Sequence, residues 1–407
     1  MYADREGLER TVRHLAAIER PSASEGEREA AEWIAGALRE LGLGATIEEE
    51  SAHGTYWIPQ ALLSAAGVAA GALALRGARK TAAAIGALAA AGIADDCSAG
   101  PHLFRKLLPH HPTWNVVADA GDVTAPETLV LIAHHDAANG GLIFDQRPIE
   151  LMARLQPERF EAADQWPELF RAIAGAPAIV AAGALLGRRG LVKLGTAMAG
   201  LSAVSFSQIG ASPVVPGAND NLTGVATILG VAERLRETPV EGVRVVLVSA
   251  GSEESFMEGS RAFLRRHAAR LSPPHTRVLA VDTVGSSAEL VAAESEGMIV
   301  QAEYDPELKD DLSAAAADAG VHLRRGLRLS FATDALPALR AGYRAAMLGS
   351  VNEFKVPSNY HKPTDTADNV DYGRVGEAVV LCDALIRRTA TRYVEASTSR
   401  ARATASS

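Results

Sequence analysis

Five places in this chain set a histidine or a carboxylate just after an apolar run or in a polar turn. They are His134 with Asp136, Asp220, the pair Glu253-Glu254, Asp282, and His361. Taken singly, each has a plain structural account. A histidine after a strand is usually hydrogen-bonded, an aspartate ahead of a helix caps it, and adjacent glutamates face water. Taken together, two histidines, two aspartates and a glutamate are nitrogen and oxygen donors that suit a pair of zinc-like divalent ions. A glutamate left over beside such ions suits a general base. Open α/β sheets collect their sites at strand ends, so residues this far apart in sequence can converge.

The elements that must position these residues follow from apolar periodicity. Gly217-Ala218-Asn219-Asp220-Asn221-Leu222-Thr223-Gly224 reads as a polar turn. After it, Val225, Ile228, Leu229, Ala232 and Leu235 fall at spacings of three and four, the stripe of an amphipathic helix. Asp220 and Asn221 are both good caps for that helix. Strands are predicted over 45–50, 115–120, 128–133, 243–249 and 278–281. Helices are predicted over 5–19, with Leu8, Val12, Leu15 and Ile18 on one face, and from Ser24 to about Leu41. Ser24 and Glu27 have the spacing of a capping box. Asp305 and Pro306 open a helix to about Ala319, and a last helix runs from Tyr372 to about Val394. The tail beyond it, rich in Ser, Thr and Ala, is expected to be disordered. Strands alternating with helices predict an α/β layered fold.

Composition narrows the function. A chain of 407 residues is long enough for one large domain with insertions or for two domains. Hydrophobic residues at 48% and charged residues at 22% are a globular balance. The net charge of −9 leaves no basic field for nucleic acid. The two cysteines, Cys97 and Cys382, exclude a disulfide scaffold and a cysteine zinc cluster. The first twenty residues are charged and amphipathic, without the apolar stretch of a signal peptide.

Two stretches stand apart. Residues 57–75 carry no charge, Arg76, Arg79 and Lys80 interrupt, and 81–94 are again uncharged and rich in Ala and Gly. The pattern recurs: 172–187 are uncharged, Arg188, Arg189 and Lys193 interrupt, and 194–209 are uncharged. Both read as helical hairpins with basic tips. Only 57–75 reaches the length of a spanning helix by sequence. Buried helices in a lid or dimer interface are one reading of the pair. Membrane hairpins are the other, and two features favour it. The positive-inside bias would put both tips in the cytoplasm with the catalytic part opposite, and Gly and Ala spacing suits close packing in lipid. Membrane association is therefore expected, with a soluble cytoplasmic protein as the alternative.

The ordered set of motifs resembles the co-catalytic zinc exopeptidases of metallopeptidase family 28, the aminopeptidase and glutaminyl cyclase group. That family carries a His-x-Asp after a strand, matched by His134 and Asp136. Its Gly-x-x-Asp-(Asn/Asp)-x-(Ser/Thr)-Gly turn is matched from Gly217 to Gly224, and its Glu-Glu followed by Gly-Ser by Glu253, Glu254, Gly259 and Ser260. Its Asp after the next strand is matched by Asp282, and its late His-x-x-x-Asp-Thr by His361, Asp365 and Thr366. The resemblance covers most of the chain outside the hairpins. It implies a three-layer αβα sandwich with a mostly parallel mixed sheet. One metallopeptidase domain would span 1–407, with hairpins inserted at 57–95 and 172–210.

The resemblance also implies roles. Asp220 would bridge two divalent ions, expected to be zinc. His134 and Asp282 would complete one site, and Glu254 and His361 the other. Glu253 would be the general base, and Asp136 would orient the His134 ring. His135 is a bystander in the variable position. Many relatives have Gly at the second position after the Glu pair, whereas Ser255 and Phe256 follow it here, which bears on pocket shape. Asp334 sits where relatives often have an acidic residue near the substrate, and it is read as the cap of the next helix. The expected activity is hydrolysis of peptide substrates by an aminopeptidase using a metal-activated water. One alternative is a one-metal, glutaminyl-cyclase-like acyltransferase, against which the retained His134 argues. The other is a silent binding module, against which the intact ligand set and Glu253 argue.

Overall fold

Runs of valine, leucine and alanine without internal charge pair into a sheet whose middle is buried on both faces. The computed structural model describes residues 1–166 and 168–405, with side chains described through residue 392. In chain order the strands are β1 (Thr46–Ala52), β2 (His111–Gly121), β3 (Thr128–His134), β4 (Arg244–Ala250), β5 (Thr276–Val281), β6 (Glu289–Ala292), β7 (Ser295–Glu296), β8 (Ala302–Glu303), β9 (Leu323–Arg324) and β10 (Arg344–Val351). The helices are α1 (Arg5–Ala16), α2 (Glu25–Glu40), α3 (Trp57–Leu75), α4 (Arg79–Cys97), α5 (Arg147–Leu155), α6 (Pro157–Ala162), α7 (Leu169–Leu186), α8 (Arg189–Gly210), α9 (Thr223–Glu237), α10 (Glu258–His267), α11 (Pro306–Ala319), α12 (Ala335–Arg340) and α13 (Tyr372–Ala405).

Eight strands form one sheet in the order β1-β2-β4-β3-β5-β10-β6-β9. β4, β3, β5 and β10 are parallel neighbours. β1 and β2 add to β4 antiparallel, and β6 adds to β10 antiparallel with β9 parallel beyond it. The parallel block matters most for function, because its four C-terminal ends release four loops along one edge of the sheet.

Register assigns each side chain to a layer. Leu129, Leu131 and Ala133 of β3 pack with Leu247, Leu279 and Leu348 into the core shared with α1, α2, α9 and α13. Val130 and Ile132 point the other way, with Val246, Val278 and Met347, onto α10 and α12. Each such buried side chain is worth about 1.5–3 kcal/mol, and a one-residue slip would exchange the two sets. The result is the three-layer αβα sandwich with a mixed, mostly parallel sheet.

Several boundaries differ from the sequence reading. β10 and β6 are not among the predicted strands, and Arg344–Val351 holds a single β-branched residue, Val351, and no aromatic one. Pairing with buried β5 makes β10 a strand all the same. α11 opens as expected, with the Asp305 carboxylate accepting from the Leu308 amide at 2.8 Å. The tail expected to be disordered beyond Val394 continues as helix to Ala405, and 406–407 lie outside the described residues.

The two apolar hairpins are one four-helix bundle rather than two separate pieces. Glycines let its helices touch: a Cβ on Gly71 would sit 1.8 Å from Thr196 Oγ1, and one on Gly86 would sit 2.8 Å from the Pro177 carbonyl. At the tips, Arg79 of one hairpin donates to the carbonyls of Ala184 (2.8 Å) and Leu185 (3.1 Å) of the other. Both basic tips therefore lie at the same end. The outer surface carries exposed Leu88, Leu185, Leu186, Leu194, Leu201 and Val204. α7 and α8 join α3 as helices long and apolar enough to cross a membrane. At 22 residues, α8 is about 33 Å long against a hydrocarbon core of about 30 Å. The sequence understated this length because helical turns continue through Phe170 and past the charged tip at Arg189.

Candidate metal centre and active site

The parallel strand ends deliver the donors. His134 ends β3, Glu253 and Glu254 follow β4, and Asp282 follows β5. His361 lies in the long loop after β10, and Asp220 lies in the turn that leads into α9. All six are buried or nearly so, with Glu254 the least enclosed. Asp220 stands at the middle. Its Oδ1 is 3.3 Å from His134 Nε2, and its Oδ2 is 3.3 Å from His361 Nε2. His361 Nε2 is also 3.2 Å from Glu254 Oε2, and His134 Nε2 is 3.8 Å from Glu253 Oε2. His134, Asp220 and Glu254 offer donor atoms within 4.8 Å of one another. The Asp282 carboxylate is in the neighbourhood but makes no ion pair or side-chain hydrogen bond with another described residue.

The turn that carries Asp220 does not cap its helix with that residue. Asp220 has non-helical φ −114° and ψ 89°, and its peptide bond to Asn221 is cis. Asn221 Oδ1 accepts from the Gly224 amide at 3.1 Å, so Asn221 caps and Asp220 is free to face the histidines. Gly224 is required here: a Cβ would meet the Val281 carbonyl at 2.4 Å. Asp365 holds the turn from across the cleft, accepting from the amides of Asn219 (2.8 Å) and Asp220 (3.1 Å). Arg20, fully buried, stitches the other side by donating to the carbonyls of His135, Pro216 and Gly217, each at 2.7 Å.

Asp136 braces two elements at once. Its Oδ1 is 3.3 Å from His134 Nδ1 and accepts from the Glu253 amide at 3.1 Å. Its Oδ2 accepts from the Glu254 amide at 3.0 Å and from Ser22 Oγ at 2.6 Å. Glu27 supports the same loop from below, accepting from the Ser252 amide and hydroxyl at 3.0 Å each. It also accepts from Thr113 Oγ1 at 2.5 Å and from the Trp114 amide at 3.0 Å. The capping-box spacing of Ser24 and Glu27 hides this role. Ser24 does cap α2, but Glu27 reaches back only to the Ala23 amide and turns its other bonds toward the site.

Two expected bystanders part company. His135 hydrogen-bonds Ser249 Oγ at 2.9 Å, and burial holds its ring at about 4, so it stays neutral and apart. Asp334 does not cap: Thr333 Oγ1 accepts from the Ala335 amide instead, at 3.2 Å. Both Asp334 carboxylate oxygens are buried without a partner, and burial pushes the group up to about 6. The charges of His134, Asp136 and Glu254 act on it, which puts it near the donor cluster.

Electrostatics fit a group of high positive charge. Burial would raise the Asp220 carboxyl, but His134 and His361 hold it well below the usual carboxylate range. Burial, then the charge of Asp220, lifts Asp282 to about 8. Burial lifts Glu253 as well, with Asp334, Glu254 and Asp282 adding to the rise against the opposing pull of His134. His361 is penalised by burial yet carried up to about 10 by Glu254 and Asp220. Five carboxylates thus face two imidazoles in a buried cleft, an excess of negative charge that divalent cations would neutralise. Asp220 Oδ2 makes the same point locally, being buried with no hydrogen-bond partner although it lies 3.3 Å from His361 Nε2. Donors on a tetrahedral zinc at bonds of about 2.0–2.1 Å are about 3.3 Å apart, the spacing seen here between Asp220 and each histidine.

A cavity of about 140 Å³ opens beside Glu253, Glu254 and His361. Tyr360 stacks on His361 at 4.0 Å between ring centroids, and Phe144 meets the same imidazole edge-on at 4.3 Å.

Together these define an α/β protein with a candidate metal centre on the carboxyl edge of its parallel strands. Residues 203–385 match the model of peptidase family M28, the family that the ordered motifs resemble. The matched segment holds Asp220, Glu253, Glu254, Asp282 and His361, while His134 and Asp136 precede it. No curated protein matches the sequence. Among solved structures, the aminopeptidase from Aneurinibacillus sp. strain AM-1 is 13% identical with a TM-score of 0.55, over 95% of this chain and 94% of that one. The LapA aminopeptidase of Legionella pneumophila is 11% identical with a TM-score of 0.54, over 95% of this chain and 70% of that one. A glutaminyl cyclase from Bacteroides thetaiotaomicron, bound to N-acetylhistamine, is 14% identical with a TM-score of 0.54, over 94% and 97%. At these identities the likeness is one of fold.

Proposed function

We propose that the chain is a two-metal aminopeptidase, with zinc as its ion and a peptide as its substrate. The observation that carries this reading is Asp220, which offers one carboxylate oxygen to each of two histidines at 3.3 Å. In this reading His134 and Asp282 complete one donor set, Glu254 and His361 complete the other, and Asp220 is common to both. The ions would lower the pKa of the attacking water and polarise the scissile carbonyl. Glu253 takes the water's proton and delivers it to the departing amine. Asp136 keeps the His134 ring and the Glu253-Glu254 backbone in one fixed relation, because a single carboxylate binds all three.

The family description supports a peptidase, and aminopeptidases stand among the similar structures. The glutaminyl cyclase fold is equally similar, but paired histidines on one bridging carboxylate favour two ions over one. The chain is also read as membrane-bound through its bundle, with basic tips on the cytoplasmic side and the catalytic layers opposite.

Metal analysis of the purified full chain, with hydrolysis of aminoacyl amides, tests the reading. Two ions per chain and release of the free amine are expected. Glu253→Gln should keep both ions and lose turnover by about 10²–10⁴-fold, the usual worth of a general base. One ion per chain with cyclisation of amino-terminal glutamine would replace this reading by the acyltransferase. Recovery of the chain in a detergent-free soluble fraction would refute the membrane assignment.

A further inference from the structure

We propose that the base of the inserted bundle is the substrate-selecting wall of the active site, and that it receives a large apolar side chain on the first residue of the peptide. This rests on the aminopeptidase reading. The cavity beside Glu253, Glu254 and His361 takes one side of its wall from the base of the bundle and the residue that leads into it. Tyr56 precedes α3, Phe170 stands at the start of α7, and Phe206 and Ile209 close the end of α8. Phe256, two residues beyond Glu254, completes an aromatic box. Its ring stacks on Tyr56 at 5.0 Å between centroids and meets Phe170 at 5.8 Å. Phe206 in turn lies 6.2 Å from Tyr56 and 6.1 Å from Phe170.

Size and charge set what fits. The volume of about 140 Å³ is close to the roughly 150 Å³ of an apolar cavity that accepts a benzene ring. Among its lining residues the charged or titratable groups besides Tyr56 and Tyr360 are Glu253, Glu254 and His361, which belong to the donor cluster. The aromatic wall offers no partner to a charged side chain: Asp or Glu would be desolvated beside Glu253 and Glu254, and Lys or Arg could pair only by drawing those two carboxylates away from the donor cluster. A leucine or phenylalanine side chain fills the space, whereas alanine leaves most of it void.

The wall is fastened to the catalytic loop. Arg105, only 1% exposed, forms an ion pair with Asp96 at the end of α4 and donates to the Ser255 carbonyl at 2.6 Å and to Glu258 Oε2 at 3.2 Å. Its guanidinium lies 5.2 Å from the Phe256 ring centroid. Gln60 of α3 donates to the same Asp96 at 2.7 Å. Both helices of the first hairpin are thereby tied to the residue that follows Glu254. The insertion is part of the active site and not only an anchor.

The test uses the full chain in detergent, loaded with zinc, and a series of aminoacyl-coumarin amides. Leu and Phe substrates should exceed Ala, Glu and Lys in kcat/KM by at least about 30-fold, the worth of a few buried carbons. Phe170→Ala should lower Leu and Phe about tenfold while leaving Ala within about twofold and metal content unchanged. Leu201→Ala, on the outer bundle face, should change none of them. A uniform loss across all substrates in Phe170→Ala, or a wild-type preference for charged or small residues, overturns the proposal. If no aminoacyl amide is cleaved, the aminopeptidase reading fails and calorimetry still decides the wall. Tighter binding of L-phenylalaninol than L-alaninol, weakened by Phe170→Ala, supports it, and equal affinities overturn it.

Discussion

Removing the Asp220 carboxylate should empty the metal centre, whereas removing the His134 ring should halve it. Asp220 places Oδ1 3.3 Å from His134 Nε2 and Oδ2 3.3 Å from His361 Nε2, so in the proposed two-ion centre one residue would belong to both donor sets. A structural zinc ion held by four protein groups gains about 10–16 kcal/mol, or roughly 3–4 kcal/mol per group, which is a few hundredfold in affinity. Asp220→Ala removes one group from each set and should weaken both ions by about that factor. His134→Ala removes a group from one set and should weaken one ion. The assay is dialysis against a buffer of free zinc that just saturates the wild type, followed by elemental analysis, with circular dichroism to show that each variant is folded. About two ions are expected in the wild type, one in His134→Ala and none in Asp220→Ala. If Asp220→Ala keeps two ions, or His134→Ala loses both, the shared-carboxylate arrangement is wrong.

Asp365→Ala removes the acceptor for the Asn219 and Asp220 amides without touching either histidine, and zinc affinity measured by chelator competition should fall about 10–100-fold, with Asp365→Asn recovering part of it. Unchanged affinity would deny Asp365 its positioning role. Arg105→Met leaves Asp96 buried without its cation and should cost about 3–5 kcal/mol in unfolding free energy, and adding Asp96→Asn should return part of that loss. An Arg105→Met protein as stable as the wild type would show that the clamp contributes nothing. Glu294 is held down to about 2 by Arg325, with Lys309 and the Gly326 amide adding to the effect. Its folded value lies below its ordinary one of 4.5, so its contribution is complete above about pH 4.5 and fades as pH falls toward 2. Denaturant melts of metal-free wild type and Glu294→Gln should therefore differ at pH 7 and converge toward pH 2, and a gap that widens in acid would contradict the assignment.

The chemistry was legible in the sequence to an unusual depth, because it is written in residue types at strand ends. Val130 and Ile132 alternate with Leu129 and Leu131, and period two marks a strand wherever it ends up. His134, Asp220, Glu253, Glu254 and Asp282 follow such runs or precede a helix, and His361 sits in a polar loop, so residue type and place alone nominate them as candidates. Asp220 itself was ambiguous. A polar turn before an amphipathic helix admits either Asp220 or Asn221 as cap, and only the backbone angles and the Asn221–Gly224 bond assign that task to Asn221.

Other parts depend on distance, which local pattern does not encode. The family resemblance named Asp365 without a role, and Glu27 looked like one half of a capping box. Each acts through backbone amides more than a hundred residues away, and those meet only once the strands take the order β2-β4-β3-β5. Asp334 read as a cap until its oxygens proved to have no helix amide to accept. The apolar stretches announced helices and basic tips, but not that four helices make one bundle or that its base meets Phe256. Residue type and short periodicity determined which groups could do chemistry. Strand order and helix packing, set by long-range burial, decided which of them share a cleft.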